Sequence, residues 1–242
     1  MRAGDDLAGL LSDRAAEQGM AVGDVLVVAH KIVSKAEGRV VSLEAVRPGA
    51  QARQLARETG KEAALCELIL AESRQIVRRR GGTLICETHH GFVCANAGID
   101  QSNIPIGQVV LLPSDPDVSA RRIQAAVAGS VGGPVGVVVT DTHGRAFRRG
   151  LVNVAIGVAG FAAVVDLRGG RDREGRLLVA SEQALADELA AASGVLMLKD
   201  GGMPAVVISG VVTERASGAV ADLVRDPAHD LFRGPDSGHA PG

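Results

Sequence analysis

The chain has no Trp and no Tyr, and only four Phe among its 242 residues, so stacking of bases on Trp or Tyr is excluded as a mode of recognition. Its core must therefore be aliphatic, and a hydrophobic content of 46% supplies Val, Leu, Ile and Ala in ample amount. A basic excess is also missing. Lys and Arg number 26 against 28 Asp and Glu, a formal net charge of -2, which gives no electrostatic footprint for nucleic acid. The three cysteines, Cys66, Cys86 and Cys94, lack the paired close spacing of a zinc site, so a reducing compartment is the simplest setting. No apolar run reaches the roughly 18 residues of a membrane span, and the N-terminus carries no apolar signal core. The expected setting is cytoplasmic, away from any membrane. Two familiar nucleotide signatures, Gly-x4-Gly-Lys-Ser/Thr and Gly-x-Gly-x-x-Gly after a strand, are absent as well. A bound nucleotide would need another loop.

What is present is concentrated in two polar knots. Glu87 to Asn103 crowds carboxylates, imidazoles, amides and hydroxyls into a stretch whose glycines allow close backbone approach to a ligand. The second, Thr140-Asp141-Thr142-His143-Gly144-Arg145, follows the apolar run Val135 to Val139. Asp141 is thus expected where a buried strand hands over to a loop. Two aspartates from separate segments, Asp100 and Asp141, with the Thr142 hydroxyl, are the hard oxygen donors that metal-bridged phosphate chemistry requires.

Each candidate has a plainer reading. Asp100 suits a turn whose side chain bonds its own backbone, and Asp141 with Thr142 suits a helix N-cap. His89 and His90, adjacent on a strand, would point to opposite faces. Lys31 and Lys35, beyond the strand Val25 to Ala29, could face phosphate or simply solvent. Lys199-Asp200-Gly201-Gly202-Met203 could wrap a nucleotide through backbone N–H groups or serve as an ordinary turn.

Periodicity predicts a helix over Leu7 to Gln18 after an Asp5/Asp6 cap, a buried strand over Val25 to Ala29, and helix throughout Ala50 to Arg80. Arg78, Arg79 and Arg80 read as a solvated helix end. Short strands are expected over Thr83 to Cys86 and Val109 to Leu112, a helix over Ser119 to Gly129, and the strongest strand over Val135 to Thr140. Gly157 to Val165 is small and apolar. Further on come a charged turn from Arg168 to Arg176 between two strands, a helix over Ser181 to Ala192, and a last strand over Val206 to Val212. The tail from 234 to 242 has the composition of a flexible terminus. No linker divides the chain, so residues 1 to 242 are expected to form a single domain.

Together these segments resemble the coenzyme F420-0:L-glutamate ligase family of GTP-dependent gamma-glutamyl ligases. The resemblance runs nearly end to end. It covers Gly4 to Leu7, Val33 to Arg39, Glu87 to Asn103, Leu111 to Ala120, Thr140 to Thr142 with Gly144-Arg145, Ala155 to Gly160, Arg168-Gly169, Ala186 to Leu189 and Asp230 to Phe232.

By that resemblance the fold is a mixed α/β (α+β) one, two chains intertwine as a homodimer, and the active site lies near their interface. Asp100 and Asp141, the catalytic pair, and Thr142 fall on positions for a divalent metal, Mg2+ or Mn2+ and two per site, with K+ as a further ion. Asn103 falls on a GTP contact, His30, Lys31 and Lys35 on the phosphate-side GTP segment, and Lys199, Asp200, Gly201, Gly202 and Met203 on the nucleotide loop.

The implied reaction joins L-glutamate to coenzyme F420-0 through an acyl phosphate, with GTP as co-substrate, giving F420-1 and, on further turns, F420-2 or longer. Family members usually carry an additional strand and loop ahead of Gly4 that help to hold GTP, and the chain is expected to lack that strand. It also has Leu198 where relatives usually have Gly and Ser209 where they usually have Arg. A metal-dependent phosphohydrolase with another substrate, or a GTP-binding paralogue without ligase activity, would draw on the same residues.

Overall fold

The computed structural model of the chain describes residues 1–211 and 216–230. In chain order the helices are α1 (Leu7–Glu17), α2 (His30–Ala36), α3 (Ala50–Thr59), α4 (Ala63–Ala71), α5 (Pro116–Val131) and α6 (Leu185–Ser193). The strands are β1 (Val25–Ala29), β2 (Val40–Ser42), β3 (Ser73–Arg80), β4 (Thr83–Thr88), β5 (Val93–Ala95), β6 (Gln108–Val110), β7 (Gly136–Arg145), β8 (Arg148–Ala159), β9 (Val165–Asp166), β10 (Glu182–Gln183) and β11 (Ala205–Ile208). This is the mixed α/β architecture expected. The described elements gather into two compact units, one within Met1–Ala45 and Gly98–Leu223, the other within Val46–Ala97 and 224–230. The last strand, expected over Val206 to Val212, is β11 and ends at Ile208; Val212 and the tail expected from 234 to 242 lie outside the described residues.

The first unit is built on a four-stranded sheet in the order β11-β1-β7-β8. β1 runs parallel to β7, with Val27 opposite Val138, and antiparallel to β11, while β7 and β8 form a long antiparallel hairpin. Val25 to Val28 are all buried, as in a strand covered on both faces. On one face Val25, Val27, Val138 and Val158 share a core with Phe161 and with Ala186, Leu189 and Ala190 of α6. On the other, Gly157 approaches α5 so closely that a Cβ there would meet the Pro116 carbonyl oxygen at 2.4 Å. Only glycine lets that helix lie against the sheet. α5 itself begins where Asp115 caps the Val118 N–H at 2.9 Å and Pro116 occupies the first helical position.

β7 and β8 are not in simple register. Val139 pairs with Gly157 but Thr140 pairs with Ala155, which leaves Ile156 as an extra residue on β8. A bulge of this kind re-aims the side chains beyond it. Here it sets Asn153 opposite Thr142. The Ala155 N–H beside the bulge donates to an Asp187 carboxylate oxygen at 2.8 Å. Burial pushes the Asp187 carboxyl up, and neither that hydrogen bond nor nearby His143 offsets it.

In the second unit the helix expected throughout Ala50 to Arg80 is corrected to two helices and a strand. Gly60, in the left-handed region at φ 71, closes α3, α4 follows, and from Ser73 the chain is β3, paired antiparallel with β4 from Ser73↔Thr88 to Arg80↔Thr83. The sheet order is β3-β4-β5. Arg78, Arg79 and Arg80 are therefore on an outer strand, not a helix end. Strand pairing outweighs the helical preference of Arg and Gln, and charge on an outer strand discourages pairing with another chain. The helix expected from Ser181 starts only at Leu185, because Glu182 and Gln183 pair with β9. β9 and β10 flank the charged turn Arg168 to Arg176, as expected.

Candidate active site

β1 ends at Ala29 and α2 begins at His30 with no residue between them, so the polar residues expected beyond the strand are helical. His30, Lys31 and, one turn on, Lys35 all face a cleft of about 360 Å³, a size suited to a small-molecule ligand. Thr140, Asp141 and Thr142 of β7 also line it, with Asn103. Lys199, Asp200, Gly202 and Met203 contribute from the loop between α6 and β11. Gly201 belongs to the same loop but is not among the lining residues, and neither is Asp100.

Asp141 lies inside β7, not at its exit and not at a helix N-cap. The strand continues past it because β8 supplies partners out to Arg148, opposite Arg145. Asp141 is 9% exposed. Its Oδ1 accepts the Thr142 N–H at 2.7 Å, and its Oδ2 lies 3.1 Å from His143 Nε2. His30 Nε2 approaches Oδ1 from the other side, also at 3.1 Å. Burial pushes the Asp141 carboxyl up, but the neighbouring His30 and His143 outweigh burial and hold it well below the usual carboxylate range. Asp141 is an anion throughout the neutral range.

Asp100 makes the turn of its plainer reading and pairs with ammonium groups besides. Its Oδ1 accepts the Ser102 N–H at 2.6 Å, the local turn bond, while Oδ2 pairs with Lys31 Nζ at 2.8 Å and lies 3.9 Å from Lys199 Nζ. Its backbone exchanges two hydrogen bonds with Val110, at 3.0 and 2.9 Å, which fixes the turn against β6. Burial raises the Asp100 carboxyl, the Lys31 ammonium and the Ser102 donors lower it, and the net result is a lowered value. Lys31 also donates to Ser102 Oγ at 2.5 Å, so its ammonium is already engaged. Lys35 Nζ donates to the Asn103 carbonyl at 2.9 Å, and Asn103 Nδ2 donates to the Lys199 carbonyl at 2.9 Å. Asn103 is in the left-handed region at φ 58, which Asn tolerates better than most residues. It ties α2 and the Lys199 loop to one turn.

Asp141, held ionised, and Thr142 offer hard oxygen donors of the kind a divalent cation takes. The Thr142 hydroxyl donates its proton to Asn153 Oδ1 at 2.9 Å, which leaves its lone pairs free, whereas Asp100 lies outside the cleft lining with its oxygens engaged by Ser102 and Lys31. Among the described residues no group of three or more His, Cys, Asp or Glu side chains is gathered for a metal. An ion here would need water or ligand oxygens to finish its shell.

Three residues at the site were not among the sequence candidates. Asn153 arrives only by cross-strand pairing through the bulge, for which no local signal exists. His143 shares a strand face with Asp141 by the two-residue period, a signal hidden when the segment is taken for a loop. Ser102 lies within the polar knot and was passed over beside Asp100.

The rest of that knot is occupied within the second unit. His89 and His90 form the turn between β4 and β5, not a strand. His89 Nε2 lies 2.8 Å from the Ala71 carbonyl, and His90 stacks on Phe92 with ring centres 5.4 Å apart. Glu87, 6% exposed, accepts from Gln75 Nε2 at 2.7 Å.

Among the described residues no helix is long and apolar enough to cross a membrane. A model of the F420-0:Gamma-glutamyl ligase family matches residues 1–210. The chain is similar to coenzyme F420:L-glutamate ligase of Methanothermobacter thermautotrophicus, 46% identical over 237 residues, covering 96% of this chain and 94% of the relative. It is similar to the protein of the same name from Methanopyrus kandleri, 45% identical over 238 residues and covering 96% and 93%. The Natronomonas pharaonis protein of that name is 44% identical over 212 residues, covering 85% and 80%.

Proposed function

The chain belongs to the F420-0:Gamma-glutamyl ligase family, and from that premise we propose that it joins L-glutamate to coenzyme F420-0 with conversion of GTP to GDP and phosphate. The names of its relatives specify an L-glutamate ligase acting on coenzyme F420. The observation that carries the same chemistry to this chain is one cleft holding a buried, ionised Asp141 together with the ammonium groups of Lys31, Lys35 and Lys199. That is a cradle for a triphosphate and a counter-charge for a cation.

A carboxylate oxygen of the F420-0 lactyl group bonds to the γ-phosphorus of GTP, and the bond from that phosphorus to its bridging oxygen breaks, leaving GDP and an acyl phosphate. The amine of L-glutamate then bonds to the acyl carbon, phosphate departs, and the amine gives up a proton to leave an amide. A second turn adds glutamate through a γ-linkage. Asp100, Asp141 and Thr142 are the residues that would hold Mg2+ or Mn2+, which would supply positive charge against that of the phosphoryl group. Lys35 steadies phosphate oxygens, and Asn103 orients the nucleotide between α2 and the Lys199 loop. The first step requires no general base, because its nucleophile is already a carboxylate, and the proton released by the amine in the second passes to the departing phosphate or to solvent.

A homodimer goes with this activity. Phe147, 90% exposed at the tip of the β7–β8 hairpin, and Leu151, 61% exposed beside it, are apolar surface that a second copy would cover. Light scattering should return the mass of two chains, and a one-chain mass at working concentration would remove the dimer.

The direct test is incubation of purified protein with F420-0, L-glutamate, GTP and Mn2+ or Mg2+, followed by mass analysis of the coenzyme. A GTP-dependent gain of one or more glutamyl units is expected. Phosphate release that ignores glutamate would favour a phosphohydrolase instead.

A further inference from the structure

His30 has a ring nitrogen without a hydrogen bond. Its ring is 2% exposed, and Nε2 is buried with no hydrogen-bond partner. Nδ1 faces Ser34 Oγ at 3.4 Å within α2, a hydroxyl to which it can donate. With the proton on Nδ1, Nε2 carries a lone pair. Nε2 lies 3.1 Å from Asp141 Oδ1, where either a proton or a cation can stand between the two. A buried lone pair beside a buried carboxylate oxygen is costly unless a positive centre lies between them. Donors on adjacent corners of an octahedral ion, with bonds near 2.1 Å, stand about 3 Å apart. The observed separation matches. Thr142 Oγ1, its proton committed to Asn153, adds a hard oxygen from the next residue of β7.

We propose that His30 Nε2 and Asp141 Oδ1 together ligate one divalent cation, so that His30 is a metal ligand. The proposal rests on the metal-holding role given to Asp141 above. Because imidazole suits transition metals whereas Mg2+ prefers oxygen and water, His30 biases the site toward Mn2+.

Full-length protein is equilibrated with Mn2+ and inorganic tripolyphosphate, which brings phosphate oxygens but no nitrogen. Unbound ion is removed by gel filtration, and the retained Mn2+ is examined by electron spin echo envelope modulation. Directly bound imidazole nitrogen is expected in the native protein and in His143→Gln, and is expected to vanish in His30→Gln. Mn2+ affinity should fall about tenfold in His30→Gln, with a smaller change for Mg2+. Retained Mn2+ without nitrogen modulation in the native protein, modulation that survives His30→Gln, or its loss in His143→Gln would each overturn ligation by His30 and leave the role of Asp141 standing. If the native protein retains no Mn2+, both fall. His30 is buried, so should the Gln variant not fold, the native and His143→Gln spectra still decide.

Discussion

The two ends of the Glu87–Asn103 segment have the same kinds of polar residues and different fates. At Glu87, His89 and His90 the polar atoms find partners close by in the chain: an amide with a guanidinium, a backbone carbonyl and a phenyl face. At Asp100, Ser102 and Asn103 the partners are ammonium groups of α2 and of the Lys199 loop, charges that a ligand can exchange for its own. Polar density alone does not make a site. A site keeps charges whose present partners can be traded, and the second region has that property where the first is internally satisfied.

The sharpest break in this contrast is Asp141→Asn. Removing the anion while keeping the shape should lower kcat by at least about 10²-fold with the circular dichroism spectrum unchanged, and native rates in that variant would take Asp141 out of the site. Lys35→Met comes next. Loss of its ammonium should raise KM for GTP about tenfold with kcat little altered, and an unchanged KM would mean that the Asn103 carbonyl is its real partner. Acid tests the same cleft from the side of stability. The folded Asp141 carboxyl is lowered, so its contribution is complete above the unfolded value of about 3.9 and is lost as pH falls below it. Denaturant midpoints should therefore drop below about pH 4 more steeply in the native protein than in Asp141→Asn, and parallel profiles would count against the lowered carboxyl. The smallest effect belongs to the other region. Glu87→Gln should cost about 1 kcal/mol of stability and leave kcat/KM within about twofold, and a large kinetic loss there would erase the contrast.

Local patterns disclosed the parts of the fold that local forces decide. The unbroken apolar run makes β1 legible from Val25 to Ala29, whereas α5 starts at Pro116, three residues before the helix predicted from Ser119, because Asp115 caps it. β3 was hidden because Ser73 to Arg80 is a charged outer strand whose identity depends on β4, and pairing between distant segments leaves no trace in a short window. The same blindness cut β7 off at Thr140. For the site, Asp141, Thr142, Lys35 and Asn103 were legible by residue type and resemblance, and they do line one cleft. The engagement of Lys31 with Asp100 and Ser102, the two imidazoles around Asp141, and the Asn153 contact follow from register and burial, and those exist only once the sheet is assembled.

The seamless joint between β1 and α2 makes chain length at that point a functional quantity. One residue inserted between Ala29 and His30 would advance the helix by a single step and rotate its side chains by about 100°, turning His30, Lys31 and Lys35 together away from the cleft while leaving every one of them in the sequence. Variation among related chains is therefore expected as exchange of one aliphatic residue for another within Val25–Ala29, and not as a change in the number of residues that precede His30 on that strand.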